Sequence, residues 1–122
     1  MTACRGVRGA TTCDEDTREA ILAATRELLV QVVERNGIAL RDVASVLFST
    51  SPDLTAEYPA VAARELGWRH VAMMCGHDMA APNGLERCIR VMLHWNTDRS
   101  PEEIRHVYLR GAVNLRPDWA NQ

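Results

Sequence analysis

The stretch ERCIRVMLHW, Glu86–Trp95, has the alternating pattern of a half-buried β-strand. The side chains predicted to face the core are Ile89, Val91, Leu93 and Trp95. On the opposite face Arg90 lies between Cys88 and Met92, with no carboxylate within two residues on that face. Because a guanidinium keeps its charge in a protein, burying it without an anion is unfavourable. The stretch therefore predicts a strand of a sheet and an anion that meets Arg90.

The rest of the chain divides into alternating strands and helices. Further strands are predicted over residues 3–11, 43–51, 70–75 and 105–113. The apolar periodicity of residues 21–33 predicts an amphipathic helix that a Thr12–Glu15 capping box opens and Asn36-Gly37 ends. A second helix is predicted from Pro59 to Gly67, and a helical turn at residues 100–103.

This order predicts an α+β fold, with a mixed sheet of about five strands and two main helices. We expect a single domain over residues 1–122. Two helices cover only one face of such a sheet, so the other face is expected to meet a second subunit. Active sites between subunits would follow naturally from that arrangement.

Composition excludes several classes of function. The chain is 47% hydrophobic and 25% charged, with a net charge of −2, which argues against a nucleic-acid partner. Its apolar runs are far shorter than the roughly 20 residues of a membrane span. We expect no secretion signal, four free thiols and a cytoplasmic location. All 14 basic residues are arginine, so only the placement of an arginine is informative.

The segment CGHD, Cys75–Asp78, is the obvious catalytic candidate. Adjacent residues rarely reach the geometry of a nucleophile and its base, and the segment has too few ligands for a recognised metal site. We interpret it as a loop after the third strand that makes polar contacts.

Four arginines and a tyrosine suggest a different chemistry. Arg64 fits a solvated helix face and Arg116 a tail position, whereas Arg8 fits a surface strand and a ligand contact equally well. Arg90 is better explained by a buried or interfacial anion. Tyr108 fits the core or an interface unless its hydroxyl meets an anion. Together they predict a site for a small ligand with several negative charges, without an evident general base.

Four motifs carry a family resemblance. RGVRGATT, SPDL…YPA…AREL, CIRVM and IRHVYL…LRPD occur in order from Arg5 to Asp118. In this the chain resembles the small monofunctional chorismate mutases of the trimeric α/β-barrel-like class, which are distinct from the all-helical class. The resemblance implies a homotrimer whose three subunits together form a pseudo-α/β barrel. The active sites would lie between neighbouring subunits. It also implies the rearrangement of chorismate to prephenate, the branch step toward phenylalanine and tyrosine.

The resemblance also implies roles for individual residues. Arg90 matches the arginine that meets the ether oxygen, so its anion would be transient; Arg8 and Tyr108 match residues that hold the carboxylates. Cys75 and Asp78 match contacts to the ring hydroxyl. Positions that match the wall, the rim and the mouth of the site are Tyr58, Ala60, Arg64, Met73, Met74, Leu115 and Arg116. The resemblance implies no metal, cofactor or covalent intermediate.

Two positions depart from the family pattern, and two other functions compete with it. Asp78 stands where glutamate is typical and Val61 where a basic rim residue is frequent. One rival is a trimeric imine deaminase of related architecture, although CIRVM and LRPD argue against it. The other is a non-catalytic binder of small carboxylates.

Overall fold

Most of the stretch Glu86–Trp95 belongs to the central strand of a five-stranded sheet. The computed structural model describes residues 1–120, and the side chains of residues 1–118. Its strands are β1 (Ala3–Thr12), β2 (Val43–Thr50), β3 (Ala72–His77), β4 (Cys88–Thr97) and β5 (Val107–Tyr108). Their spatial order is β3-β2-β4-β1-β5, in which β4 is antiparallel to β1 and β2, while the pairs β2–β3 and β1–β5 are parallel. The predicted mixed sheet of an α+β fold is confirmed.

Two main helices accompany the sheet, as predicted. The α-helices are α1 (Arg18–Asn36), α2 (Ala60–Glu65) and the short α3 (Pro117–Ala120). Single 3₁₀ turns occur at Leu40–Asp42, Pro101–Glu103 and Arg110–Asn114. None of the helices in the described part of the chain is long and apolar enough to cross a membrane.

The start of α1 differs from the prediction, whereas its end agrees. Thr17 is the N-cap, and its side chain accepts a hydrogen bond from the Ala20 N–H at 3.2 Å. The predicted Thr12–Glu15 box is wrong because Thr12 belongs to β1, where it pairs with Cys88. At the other end Gly37 has φ of 68°, a left-handed conformation that glycine adopts without steric cost.

One face of the sheet packs against α1 and α2. Val7, Phe48, Val91 and Leu93 are buried there, in one cluster with Leu28 of α1. The alternation predicted for β4 is confirmed, because its odd-numbered residues from Ile89 to Thr97 are all buried. We call this the helix-packed face.

In residues 1–120, no helix lies over the centre of the opposite face. We call it the open face, and its residues are Arg8, Ala10, Leu47, Ser49, Met74, Arg90 and Met92. Leu47 is 45% exposed and Met74 is 70% exposed, which is unusual for large apolar side chains beside one another on a sheet. The prediction that two helices leave one face uncovered agrees with this arrangement.

The third and the fifth predicted strands differ from those observed. The third strand begins later than expected and includes Gly76 and His77, so the loop interpretation of CGHD is wrong except at Asp78. The predicted strand 105–113 shrinks to Val107–Tyr108. Arg110 has φ of 51°, which is incompatible with an extended strand and leads into the 3₁₀ turn that follows.

Candidate active site

Arg90 has a carboxylate partner within the chain. Its Nε donates to Asp78 Oδ2 at 3.0 Å. The hydroxyl of Ser49 donates to the other oxygen, Asp78 Oδ1, and the Asp78 N–H donates to the Thr50 carbonyl at 2.7 Å. The expectation that the anion of Arg90 is only transient is therefore wrong, because β2 holds Asp78 against it. A guanidinium carries five N–H donors, so the Nε bond to Asp78 leaves further donors for a ligand.

The thiol next to Arg90 adds no negative charge. Burial raises the pKa of Cys88 to about 11, and the nearby charge of Arg90 only partly opposes that shift. Cys88 is therefore a neutral thiol near pH 7. The side chain that forms an ion pair with Arg90 is that of Asp78.

Tyr108 lies beside Arg90 on the open face. Ala10 pairs with Arg90 of β4 on one side and with Tyr108 of β5 on the other, so the three residues form a row across the sheet. Burial raises the pKa of Tyr108, while the charges of Arg8, Arg116 and Arg90, in that order, lower it. The phenol is neutral near pH 7, and three arginines act on it together.

The C-terminal positions join the same group. Leu115 packs against Ala10, Cys88 and Tyr108. Arg116 forms an ion pair with Asp118, in which Arg116 Nη2 lies 2.8 Å from Asp118 Oδ2. The main chain beside Arg8 is also anchored, since the Arg8 N–H donates to His106 Nδ1 at 3.0 Å. We call the combined set the Arg90 group: Arg8, Asp78, Arg90, Tyr108, Leu115 and Arg116.

The remaining candidates lie elsewhere. Tyr58 and Cys75 line a cavity of about 360 Å³ at the β3 edge, together with Pro59, Gly76 and His77. Met73 and Cys75 pack against the core on the helix-packed face, Ala60 is buried in α2, and Arg64 is exposed on it. We call these five candidates the Cys75 group: Tyr58, Ala60, Arg64, Met73 and Cys75. Met74 belongs to the same strand but lies on the open face.

Strand register places the two groups on opposite faces of the sheet. Phe48, on the helix-packed face, pairs with Cys75 on β3 and Val91 on β4. The next residue, Ser49, pairs with Gly76 and Arg90. Because directly paired residues share a face, the sheet itself separates the Cys75 thiol from the Arg90 guanidinium. One chain therefore does not present both side chains to the same small ligand.

Asp16 is a residue of the site region that sequence reasoning missed. Its carboxylate accepts hydrogen bonds of 3.0 Å from the N–H groups of Thr55 and Ala56 and from the Thr55 hydroxyl. These bonds fix the loop that leads to Tyr58 in the cavity wall. The partners are about 40 residues apart in the chain, so no local motif indicates the contact.

The loop held by Asp16 is expected to loosen in acid. The backbone N–H groups of Thr55 and Ala56 lower the pKa of Asp16 below its ordinary 3.8. A carboxyl whose pKa is lower in the folded protein stabilises fully above its unfolded pKa and loses that effect as the pH falls through the folded value. Asp16→Ala should therefore melt at a lower temperature than wild type at pH 7, and the difference should shrink below about pH 4. A difference in melting temperature that does not change with pH would contradict this role.

The chain is similar to known proteins over nearly its whole length. The family model described as chorismate mutase type I matches residues 4–119. Chorismate mutase AroH of Thermus thermophilus is 50% identical over 115 residues, covering 93% of this chain and 94% of the relative. Chorismate mutase AroH of Bacillus subtilis (strain 168) is 49% identical over 115 residues, covering 93% and 91%.

A solved structure has the same fold. Chorismate mutase from Clostridium thermocellum Cth-682 superposes with a TM-score of 0.87 at 45% sequence identity, covering 88% of this chain and 96% of that one. The sequence motifs, the cationic open face and the similarity over nearly the whole chain lead to the same assignment. The chain belongs to the chorismate mutase type I family, which confirms the prediction of a chorismate mutase, an isomerase of the monofunctional α/β class.

Proposed function

We propose that the protein converts chorismate to prephenate at sites shared between neighbouring subunits of a homotrimer. One subunit supplies the Arg90 group from its open face, and its neighbour supplies the Cys75 group from the β3 edge. The observation that carries this proposal is the register of β2, which puts Cys75 and Arg90 on opposite faces of one sheet. The exposed Leu47 and Met74 support it, because a second subunit would cover them. The reaction serves phenylalanine and tyrosine synthesis in the cytoplasm.

Arg90 acts on the charge that develops during the rearrangement. In this [3,3] sigmatropic shift the ether C–O bond breaks as a C–C bond forms, and negative charge gathers on the ether oxygen. A guanidinium already fixed by Asp78 needs little reorganisation to meet that charge. One preorganised donor of this kind contributes about 2.7–4 kcal/mol to lowering the barrier.

Two further arginines and Tyr108 select the reactive shape of the substrate. Chorismate is a dianion, and Arg8, Tyr108 and Arg116 surround the place where its carboxylates would bind. Holding both carboxylates favours the compact diaxial conformer, in which the bond-forming carbons approach one another. The chemistry then needs neither a general acid nor a nucleophile from the protein.

The two departures from the family pattern affect the same site. Asp78 accepts from Ser49 and Arg90, which supports a role for it in fixing Arg90. The contact of Asp78 and Cys75 with the ring hydroxyl stays a prediction. Val61 gives the rim one cation fewer, so attraction of the dianion depends more on the Arg90 group.

Two measurements test the proposal together. The purified protein should consume chorismate in an absorbance assay and release prephenate, and sedimentation equilibrium should give three times the subunit mass. An inactive trimer that binds chorismate would favour the non-catalytic binder, and hydrolysis of 2-iminobutyrate without chorismate turnover would favour the imine deaminase. A fully active monomer would overturn the shared site.

A further inference from the structure

Ser49 lies between the two strands that carry the charged pair. On β2 it pairs directly with Gly76 of β3 and with Arg90 of β4. Directly paired residues share a face, so its hydroxyl is on the open face beside Arg90. The hydroxyl donates to Asp78 Oδ1, while Asp78 Oδ2 accepts from Arg90 Nε at 3.0 Å. Each oxygen of the carboxylate is thus engaged with a different side chain of the same face.

Asp78 is tied to β2 at two successive residues. Its backbone N–H donates to the Thr50 carbonyl at 2.7 Å, which fixes the main chain just after β3. Its carboxylate would still rotate about the side-chain bonds without the Ser49 hydroxyl. With Oδ1 fixed by Ser49, Oδ2 is directed toward Arg90 Nε. Asp78 and Arg90 are both partly exposed, so an ion pair without this anchor would exchange easily with water.

We propose that Ser49 is a positioning residue for Arg90, acting through Asp78. It fixes the carboxylate, and the carboxylate fixes the orientation of the guanidinium that meets the ether oxygen. The inference rests on the proposed function, since it assigns Ser49 a part in the same reaction. Small misplacements of a catalytic group reduce rates strongly, so loss of this anchor should act mainly on kcat.

The test compares two serines of the same strand and face. Ser49→Ala should lower kcat about tenfold, as expected for one hydrogen bond to a charged group, with KM changed much less. Ser49→Thr keeps the hydroxyl and should restore most of the rate. Ser45→Ala is the matched control: Ser45 is partly buried on β2 and its hydroxyl pairs with His94 at 2.9 Å, so its loss should leave kcat unchanged.

A double-mutant cycle separates positioning from simple stabilisation. In an Asp78→Ala background, Ser49→Ala should cost nothing further, because the carboxylate through which it acts is absent. Sedimentation and melting temperature verify that each variant is folded. If Ser49→Ala fails to assemble, Ser49→Cys, which keeps a similar volume but only a weak donor, takes its place with the same expected loss.

Failure of this inference differs from failure of the proposed function. A wild-type protein without chorismate turnover refutes the function itself. An active wild type whose assembled Ser49→Ala or Ser49→Cys variant keeps full kcat overturns the role of Ser49. The same holds if the loss of rate persists undiminished in the Asp78→Ala background.

Discussion

Arg90→Ala is expected to lower kcat by at least about 10²–10³-fold, with a much smaller change in KM. An interaction made chiefly in the transition state raises kcat rather than ground-state affinity, so its loss falls on kcat. Steady-state assays of chorismate disappearance measure both constants. Arg90→Lys should also have a low kcat. Lysine keeps the charge but lacks the planar guanidinium, which can donate to Asp78 and to a ligand at the same time.

Arg90→Ala also leaves the Asp78 carboxylate uncompensated, and a double variant separates this effect from the loss of the Arg90 charge. The Asp78 carboxylate stays next to Ser49 and faces the dianionic substrate without its cation. The double variant Arg90→Ala/Asp78→Ala removes this repulsion and should be at least as active as Arg90→Ala alone. If kcat of Arg90→Ala equals that of wild type, no transition-state role for this residue survives.

Two inactive variants are expected to restore activity when their subunits mix. Arg90→Ala disables the Arg90 group. Tyr58→Asp puts a carboxylate into the wall of the cavity that Tyr58 and Cys75 line, where it is expected to repel chorismate. Tyr58 is 68% exposed, so its replacement should leave folding intact. In randomly mixed trimers about a quarter of the sites combine an intact Arg90 group with an intact Tyr58 from the neighbour.

The control for mixing uses two variants of one group. Arg90→Ala and Arg8→Ala both affect the open face, so every site in their mixture lacks one of the two arginines. Activity should therefore return only in the mixture with Tyr58→Asp. Equal behaviour of the two mixtures, after exchange of differently tagged subunits has been verified, would mean that the site is not shared in this way.

Elements with a strong apolar period could be predicted from the sequence, whereas several of their ends could not. In β4, Ile89, Val91 and Leu93 alternate with residues of the other face, and α1 has apolar residues along one side. Both patterns arise because one face of the element is buried, so they can be recognised in the sequence. The Thr12–Glu15 spacing resembled a helix start, but pairing of Thr12 with Cys88 extends β1 instead. The fifth strand is short because only Val107 and Tyr108 pair with β1.

The motifs indicated candidate residues for the site, whereas the arrangement of those residues could not be predicted from the sequence. Ser49 and Asp78 are 29 residues apart, so nothing local indicates their contact. Strand alternation puts Cys75 on the same face of β3 as Met73, but only the pairing of Cys75 with Phe48 shows which side of the sheet that is.

The central claim is that a fixed positive charge at residue 90 stabilises the transition state, and citrulline at that position tests it most directly. Citrulline keeps the shape and most of the hydrogen-bond donors of arginine but is neutral. Cys88 lies two residues before Arg90, so a synthetic segment that begins at Cys88 can be ligated to residues 1–87. Compared with semisynthetic enzyme carrying arginine, the citrulline enzyme should have a kcat at least about 10²-fold lower. Equal turnover of chorismate by the two proteins would contradict the claim and leave Arg90 a structural clamp.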